Sequence, residues 1–210
     1  MSNRRALLSG LGGAMLSPAF AHPGSTNPTV APSQAGYLFK PANARLRADY
    51  FSNAIFQAHD GRQLKFYDDL IKGKLVVFNM MLEVCSDGIC PNMTANLLRV
   101  QESLGNRVGK DIFMYSITLQ PEHDTPKSLS AYVKAFGIKP GWTFLKGTPK
   151  DTDIIRRRLG FYDLDEKKDA DKSTHTGMIR IGNDAYDRWC MMPALSQPKM
   201  IKDAILSMSV

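Results

Sequence analysis

A chain of 210 residues is long enough for one domain of ordinary size with a buried core, plus a leader. With 43% hydrophobic and 22% charged residues it is neither disordered nor fibrous, and three cysteines are too few for a disulfide-dense scaffold. The net charge of +7 is spread along the chain without interleaved aromatics, which argues against a nucleic-acid surface. Its densest run, Arg156-Arg157-Arg158, has an acidic stretch from Asp163 to Asp171 close behind it and reads best as a solvated helix face.

At the N-terminus, Arg4-Arg5 precede an apolar run from Ala6 to Leu16. That run is too short to cross a bilayer, which takes about 20 residues. Ala19-Phe20-Ala21 then offers the small-x-small pattern of signal cleavage. Residues 1–21 are therefore expected to be an export signal of twin-arginine or Sec type, with an uncleaved anchor as the third option. The expected compartment is the periplasm or an equivalent exported space. Residues 22–48, rich in Pro, Ser, Ala and Asn without a sustained period, are expected to be a flexible arm ahead of a domain over 49–210.

Within that domain, Asp60-Gly61 and Leu64 to Tyr67 suggest a hairpin turn entering a short strand. Leu75 to Met81 is a continuous apolar run, the mark of a strand buried on both faces. Met93, Leu97, Leu98, Val100 and Leu104 then recur at helical spacing. Ile112 to Leu119 is a second buried strand. Thr125-Pro126 starts a helix that runs through Phe136 and stops at Gly137. A short strand over Trp142–Leu145 and a helix from about Lys150 to Leu159 follow. Met178–Ile181 and Ala185–Trp189 flank Gly182-Asn183, a hairpin signal, and Ser196 is placed to cap a last helix. This alternation predicts an α/β fold of thioredoxin-like plan, a mixed central β-sheet flanked by helices on both faces, with an N-terminal hairpin extension.

In that plan the chemistry sits where the first buried strand ends and the next helix begins, and Cys85 and Cys90 occupy that position. Cys90 precedes Pro91, so Cys90 is expected to cap the helix, where a thiolate faces open backbone N–H groups and the positive end of the helix dipole. Two thiolates alone form a redox pair. With an imidazole added they form a trigonal S₂N site, and soft sulfur donors select copper(I). Among the four histidines, His175 stands at the entry of the late hairpin, while His59 adjoins a turn and His123 is expected to be exposed. A hairpin turning at Gly182-Asn183 would also set His175 across from Cys190 or Met191. A static disulfide between Cys85 and Cys90, a loop role for His175 and a core role for Cys190 remain the simpler readings.

Several segments together carry a family likeness: Asp60-Gly61, Asp68-Asp69-Leu70, Gly73 to Val77, Cys85…Cys90-Pro91, Ser116-Ile117-Thr118, Pro121-Glu122-His123-Asp124-Thr125-Pro126, Trp142 to Leu145 and Thr174-His175-Thr176. They resemble the Sco/SenC family of thioredoxin-like proteins over roughly residues 50–210. The resemblance implies copper bound by two cysteines and one histidine, by position Cys85, Cys90 and His175. It also implies delivery of copper to the binuclear CuA centre of cytochrome c oxidase, with a copper-accepting oxidase subunit or another exported thiol protein as partner. Thiol–disulfide exchange with the target is implied as well, and a thiol–disulfide oxidoreductase acting through Cys85 and Cys90 is the alternative function. One feature departs from the pattern: four residues separate Cys85 from Cys90, where the family usually has three.

Overall fold

The computed structural model describes residues 50–85, 88–172 and 177–209. The leader, the arm before Tyr50 and His175 lie outside the described residues. Seven strands form one mixed sheet: β1 (Ile55–Ala58), β2 (Gln63–Lys65), β3 (Leu75–Met81), β4 (Ile112–Thr118), β5 (Trp142–Lys146), β6 (Met178–Asn183) and β7 (Arg188–Pro193), in the order β2-β1-β5-β4-β3-β6-β7. The centre is parallel, β5-β4-β3, and the flanking pairs are antiparallel. Every residue of β3 is buried, as a strand covered on both faces requires.

Helices α1 (Ile89–Leu104), α2 (Pro126–Phe136), α3 (Pro149–Arg158), α4 (Glu166–Ala170) and α5 (Pro198–Ser207) fill the connections. Met93, Leu97, Val100 and Leu104 give α1 a buried stripe, and it packs beside α5, where Asn96 donates to the carbonyls of Ala194 and Ser196 at 2.8 Å each. Helix α2 lies on the same side of the sheet, with the Tyr132 ring 5.6 Å from that of Phe144. The opposite face is covered by a π-helical turn (Phe66–Ile71), whose Phe66 ring meets Phe78, and by α3.

The predicted elements are present, with three differences. First, Phe66 and Tyr67 turn into the π-helical segment instead of continuing β2, and both are buried there. Second, the late hairpin does not turn at Gly182-Asn183. Both residues belong to β6, and the turn is a 3₁₀ segment, Asp184–Tyr186, closed by Asp187 in the left-handed region (φ 52°). Gly182 pairs with Trp189, and a Cβ on it would collide with the indole, so the glycine makes room for a ring rather than a turn. Third, the last helix begins after Gln197 with no side-chain cap from Ser196.

Candidate functional site

Strand β3 ends at Met81, and the chain reaches α1 at Ile89 through a short connection that carries Cys85, with Cys90 just beyond it. The predicted cap is displaced. Helix α1 starts at Ile89 with Gly88 in the N-cap position, so Cys90 lies inside the first turn. The capping acceptor is instead the Cys85 sulfur, which takes the Cys90 backbone N–H at 3.4 Å. The Cys90 sulfur in turn accepts the Leu82 N–H at 3.3 Å. Two backbone donors thus hold the two sulfurs at one end of α1, where open N–H groups favour electron-rich ligands. Gly88 makes this possible: its φ of 73° is left-handed, and its N–H returns to the Cys85 carbonyl at 3.4 Å. Across the four-residue spacer the Cys90 backbone N–H thus meets the Cys85 sulfur.

Burial divides the pair. Cys90 is 1% exposed and belongs to the core, whereas Cys85 is half-buried and follows Val84, which is 81% exposed. Cys85 is therefore the more accessible residue of the two and Cys90 the shielded one. Four residues beyond Cys90 on the same face of α1, the Thr94 hydroxyl meets the Tyr132 hydroxyl at 2.9 Å. Burial pushes the Tyr132 phenol up to about 12; the Thr94 hydrogen bond opposes this, and negative charge at Cys90, Cys85 and Glu83 reinforces it. Tyr132 is thus a neighbour of the thiols that sequence reading missed. Only its place on α2 brings it there, and no spacing relates residue 132 to residue 90.

Strand β6 runs antiparallel to β3, so the segment leading into Met178 arrives at the end of the sheet where β3 releases the cysteine loop. His175 lies three residues before Met178 and outside the described residues. The other histidines have different occupations. His123 is exposed in the turn after β4, as expected. His59 accepts the Phe144 N–H on Nδ1 at 3.1 Å, and burial lowers its pKa despite the neighbouring Asp60 carboxylate. Cys190 does not approach the thiol pair by the register proposed from sequence. It is paired with Ile181 in mid-strand, and its thiol pKa is raised by burial against the opposing field of Arg180.

The arginine run departs from the expected solvated face at one residue, while Arg157 is exposed as expected. Arg156 is 4% exposed, and both of its Nη groups donate to Asp169, so part of the acidic stretch is its internal counter-ion. Among the described residues no helix is long and apolar enough to cross a membrane.

The fold and this junction define a class: a thioredoxin-like α/β protein with a cysteine pair at the strand-to-helix turn. The family model for SCO1/SenC matches residues 45–208, and the chain belongs to that family. Solved structures with the same fold include Arabidopsis thaliana ScoI with copper bound (19% identity, 73% of this chain and 94% of that one, TM-score 0.58). A SCO1/SenC family lipoprotein from Bacillus anthracis is similar at 20% identity, 74% and 92% coverage and a TM-score of 0.61. BsSco, described with a disulfide switch and as a member of the Sco family of cytochrome c oxidase assembly proteins, is similar at 21% identity, 74% and 90% coverage and a TM-score of 0.60. No curated protein matches the chain.

Proposed function

We propose that this protein is an exported copper metallochaperone that delivers copper to the CuA centre of cytochrome c oxidase. In this reading Cys85 and Cys90 are the thiolate ligands and His175 is the imidazole ligand. The observation that carries it is the contact of Cys90 N–H with the Cys85 sulfur at 3.4 Å, which sets two soft donors at one helix end. Two sulfurs with one nitrogen suit copper(I), whereas structural zinc takes four ligands. Support for His175 comes from the antiparallel entry of β6 beside β3 and from the family's copper-bound members. The half-buried position of Cys85 would let a partner thiol reach the metal and take it by ligand exchange. The leader over 1–21 would export the chain and the arm over 22–48 would tether or release the domain, an uncleaved leader holding it at a membrane.

The test is the copper(I) affinity of the reduced protein, measured by competition with a chelator, alongside His175→Ala. Tight one-to-one binding that collapses in the variant is the expected result. A wild-type protein without copper affinity overturns the reading.

The unequal burial of the two sulfurs favours a second reading, a thiol–disulfide oxidoreductase. The Cys85 thiolate would attack a substrate disulfide and release one substrate thiolate. Cys90 would then displace the other, leaving a Cys85–Cys90 disulfide and transferring two electrons to the substrate. Turnover of a disulfide substrate without copper binding selects this reading.

A further inference from the structure

On the sheet face covered by the π-helical turn, a groove of about 440 Å³ opens between the β1–β2 hairpin and the start of β4. That volume is in the range of small-molecule sites. The groove stands at the far end of the sheet from the thiols: Lys74 directly precedes β3 and Lys110 lies just before β4, whereas the cysteines follow the end of β3. Its charged lining is one-sided, with Arg62, Lys74 and Lys110 as cations and Asp69 as the one carboxylate. Asp69 is already engaged: Oδ2 accepts the Lys65 N–H at 2.7 Å, and its carbonyl accepts Lys74 Nζ. Arg62 is oriented by Asp60 through Nε at 2.8 Å and Nη2 at 2.7 Å. Lys74 is half-buried with its ammonium 4.8 Å from the centroid of the Phe113 ring, and burial lowers its pKa against the field of Asp69. Among the described residues no carboxylate lies within ion-pair distance of Lys74 or Lys110.

Tyr115 adds a donor from the sheet itself. It is 4% exposed, its ring is stacked 5.1 Å from that of Phe78, and its hydroxyl makes no hydrogen bond among the described residues. The fields of Arg62 and Asp69 both reach the phenol, which places the hydroxyl on the groove side. Burial pushes the Tyr115 pKa upward, so the group stays a neutral O–H donor. A buried hydroxyl without a partner is costly, and an acceptor brought into the groove would relieve that cost.

We propose that this groove binds the phosphate monoester group of a small organic molecule, with Lys74, Lys110 and Arg62 around the phosphate and the Tyr115 hydroxyl donating to one of its oxygens. A phosphate monoester carries nearly two negative charges near neutrality and three acceptor oxygens, which suits cations and a neutral donor that share one space. Phe113 and Leu70 flank that space and favour an apolar or aromatic body on the ligand. No residue of the thiol junction lines the groove, so binding there stands apart from copper.

The reduced full-length protein is titrated calorimetrically with phenyl phosphate as wild type, Tyr115→Phe, Lys74→Gln, Lys110→Gln and Lys167→Gln, the last an exposed cation outside the groove. One saturable site is expected in the wild type. Tyr115→Phe and Lys74→Gln should each weaken it about tenfold, as the loss of one charge-assisted hydrogen bond does. Lys110→Gln, at an exposed position, should weaken it about threefold, and Lys167→Gln not at all. Tyr115→Phe keeps the ring against Phe78 and removes only the donor. Benzoate, with a single charge, should bind more weakly than phenyl phosphate. Absence of saturable binding overturns the proposal, as does wild-type affinity in Tyr115→Phe or an equal loss in Lys167→Gln. Benzoate binding as tightly as phenyl phosphate overturns the phosphate assignment. Vesicles containing phosphatidic acid present the same group on a lipid, and binding to these without binding of phenyl phosphate overturns the small-molecule assignment.

Discussion

Cys85 and Cys90 lie at a junction between a buried strand and a helix, whereas Cys190 lies in the middle of edge strand β7. All three are thiols in the same domain, yet their surroundings differ in kind. At the junction the backbone has N–H groups to spare, and two of them point at the sulfurs. In the hairpin Cys190 stands opposite Ile181 in the ladder between β6 and β7, and burial raises its thiol pKa against the field of Arg180. The surroundings of a thiol thus follow from where its cysteine stands in the backbone hydrogen-bond pattern more than from how many cysteines a chain has.

Removing one sulfur at each place breaks the comparison most directly. Cys90→Ala should abolish tight copper(I) binding. The small cavity should cost only about 1 kcal/mol of stability, so a urea melt separates the two effects. Cys190→Ser should leave copper affinity unchanged, and any loss there would make Cys190 a contributor to the site. The two glycines come next. Gly182→Ala pushes a methyl into the Trp189 indole and should destabilise by about 1–3 kcal/mol without altering the ligands. Gly88→Ala meets no neighbour but must hold φ at 73°, a cost of about 1 kcal/mol. Its larger signature is expected in copper affinity, since the turn at Gly88 returns its N–H to the Cys85 carbonyl and so sets where Cys85 stands at the start of α1. Equal effects of both glycines on stability and on copper would erase the distinction between junction and hairpin.

The smallest expected effect is on pH dependence. Burial raises the Cys190 pKa above the ordinary thiol value of 9.0, so the folded state favours its neutral form. In Cys85→Ser/Cys90→Ser protein, alkylation of Cys190 should therefore lag that of the denatured chain near pH 9 and approach it only at higher pH. Folded-state stability from this group is complete below the unfolded thiol pKa and declines as pH rises through the folded one. His59 works in the opposite direction. Its folded pKa lies below 6.5, so its contribution is intact above that value and fades as pH falls beneath it. A denaturant midpoint that stays level between pH 7 and 5 in wild type and in His59→Gln alike would show that the imidazole contributes nothing.

Much of the domain was legible without coordinates because the signals were local. Leu75 to Met81 is apolar at every position but Asn79, and only a strand covered on both faces buries such a run. Thr125, Pro126 and Gly137 each act within a few residues, and the helix between them begins and ends where they direct, with a Thr125–Ser128 capping box. The strand-to-helix placement of Cys85 and Cys90 follows from the same local order. Tyr132 near the thiols, the internal pairing of Arg156 with Asp169 and the register of β6 against β7 were not legible in this way. Each depends on residues far apart in the chain or on the opposite strand.

The sequence by itself determined the kind of domain, its family and the position of the cysteine pair, since periodicity, caps and motifs are carried by neighbouring residues. Tertiary structure decided the rest. Gly182 is a turn signal by composition and a cradle for Trp189 in fact, because a glycine reports only that a side chain is missing. Arg156 belongs to a basic run by composition and to the interior in fact, because Asp169 is folded against it. Cys85, not Cys90, acts as the acceptor at the start of α1, because the left-handed turn at Gly88 moves the helix start ahead of the second cysteine.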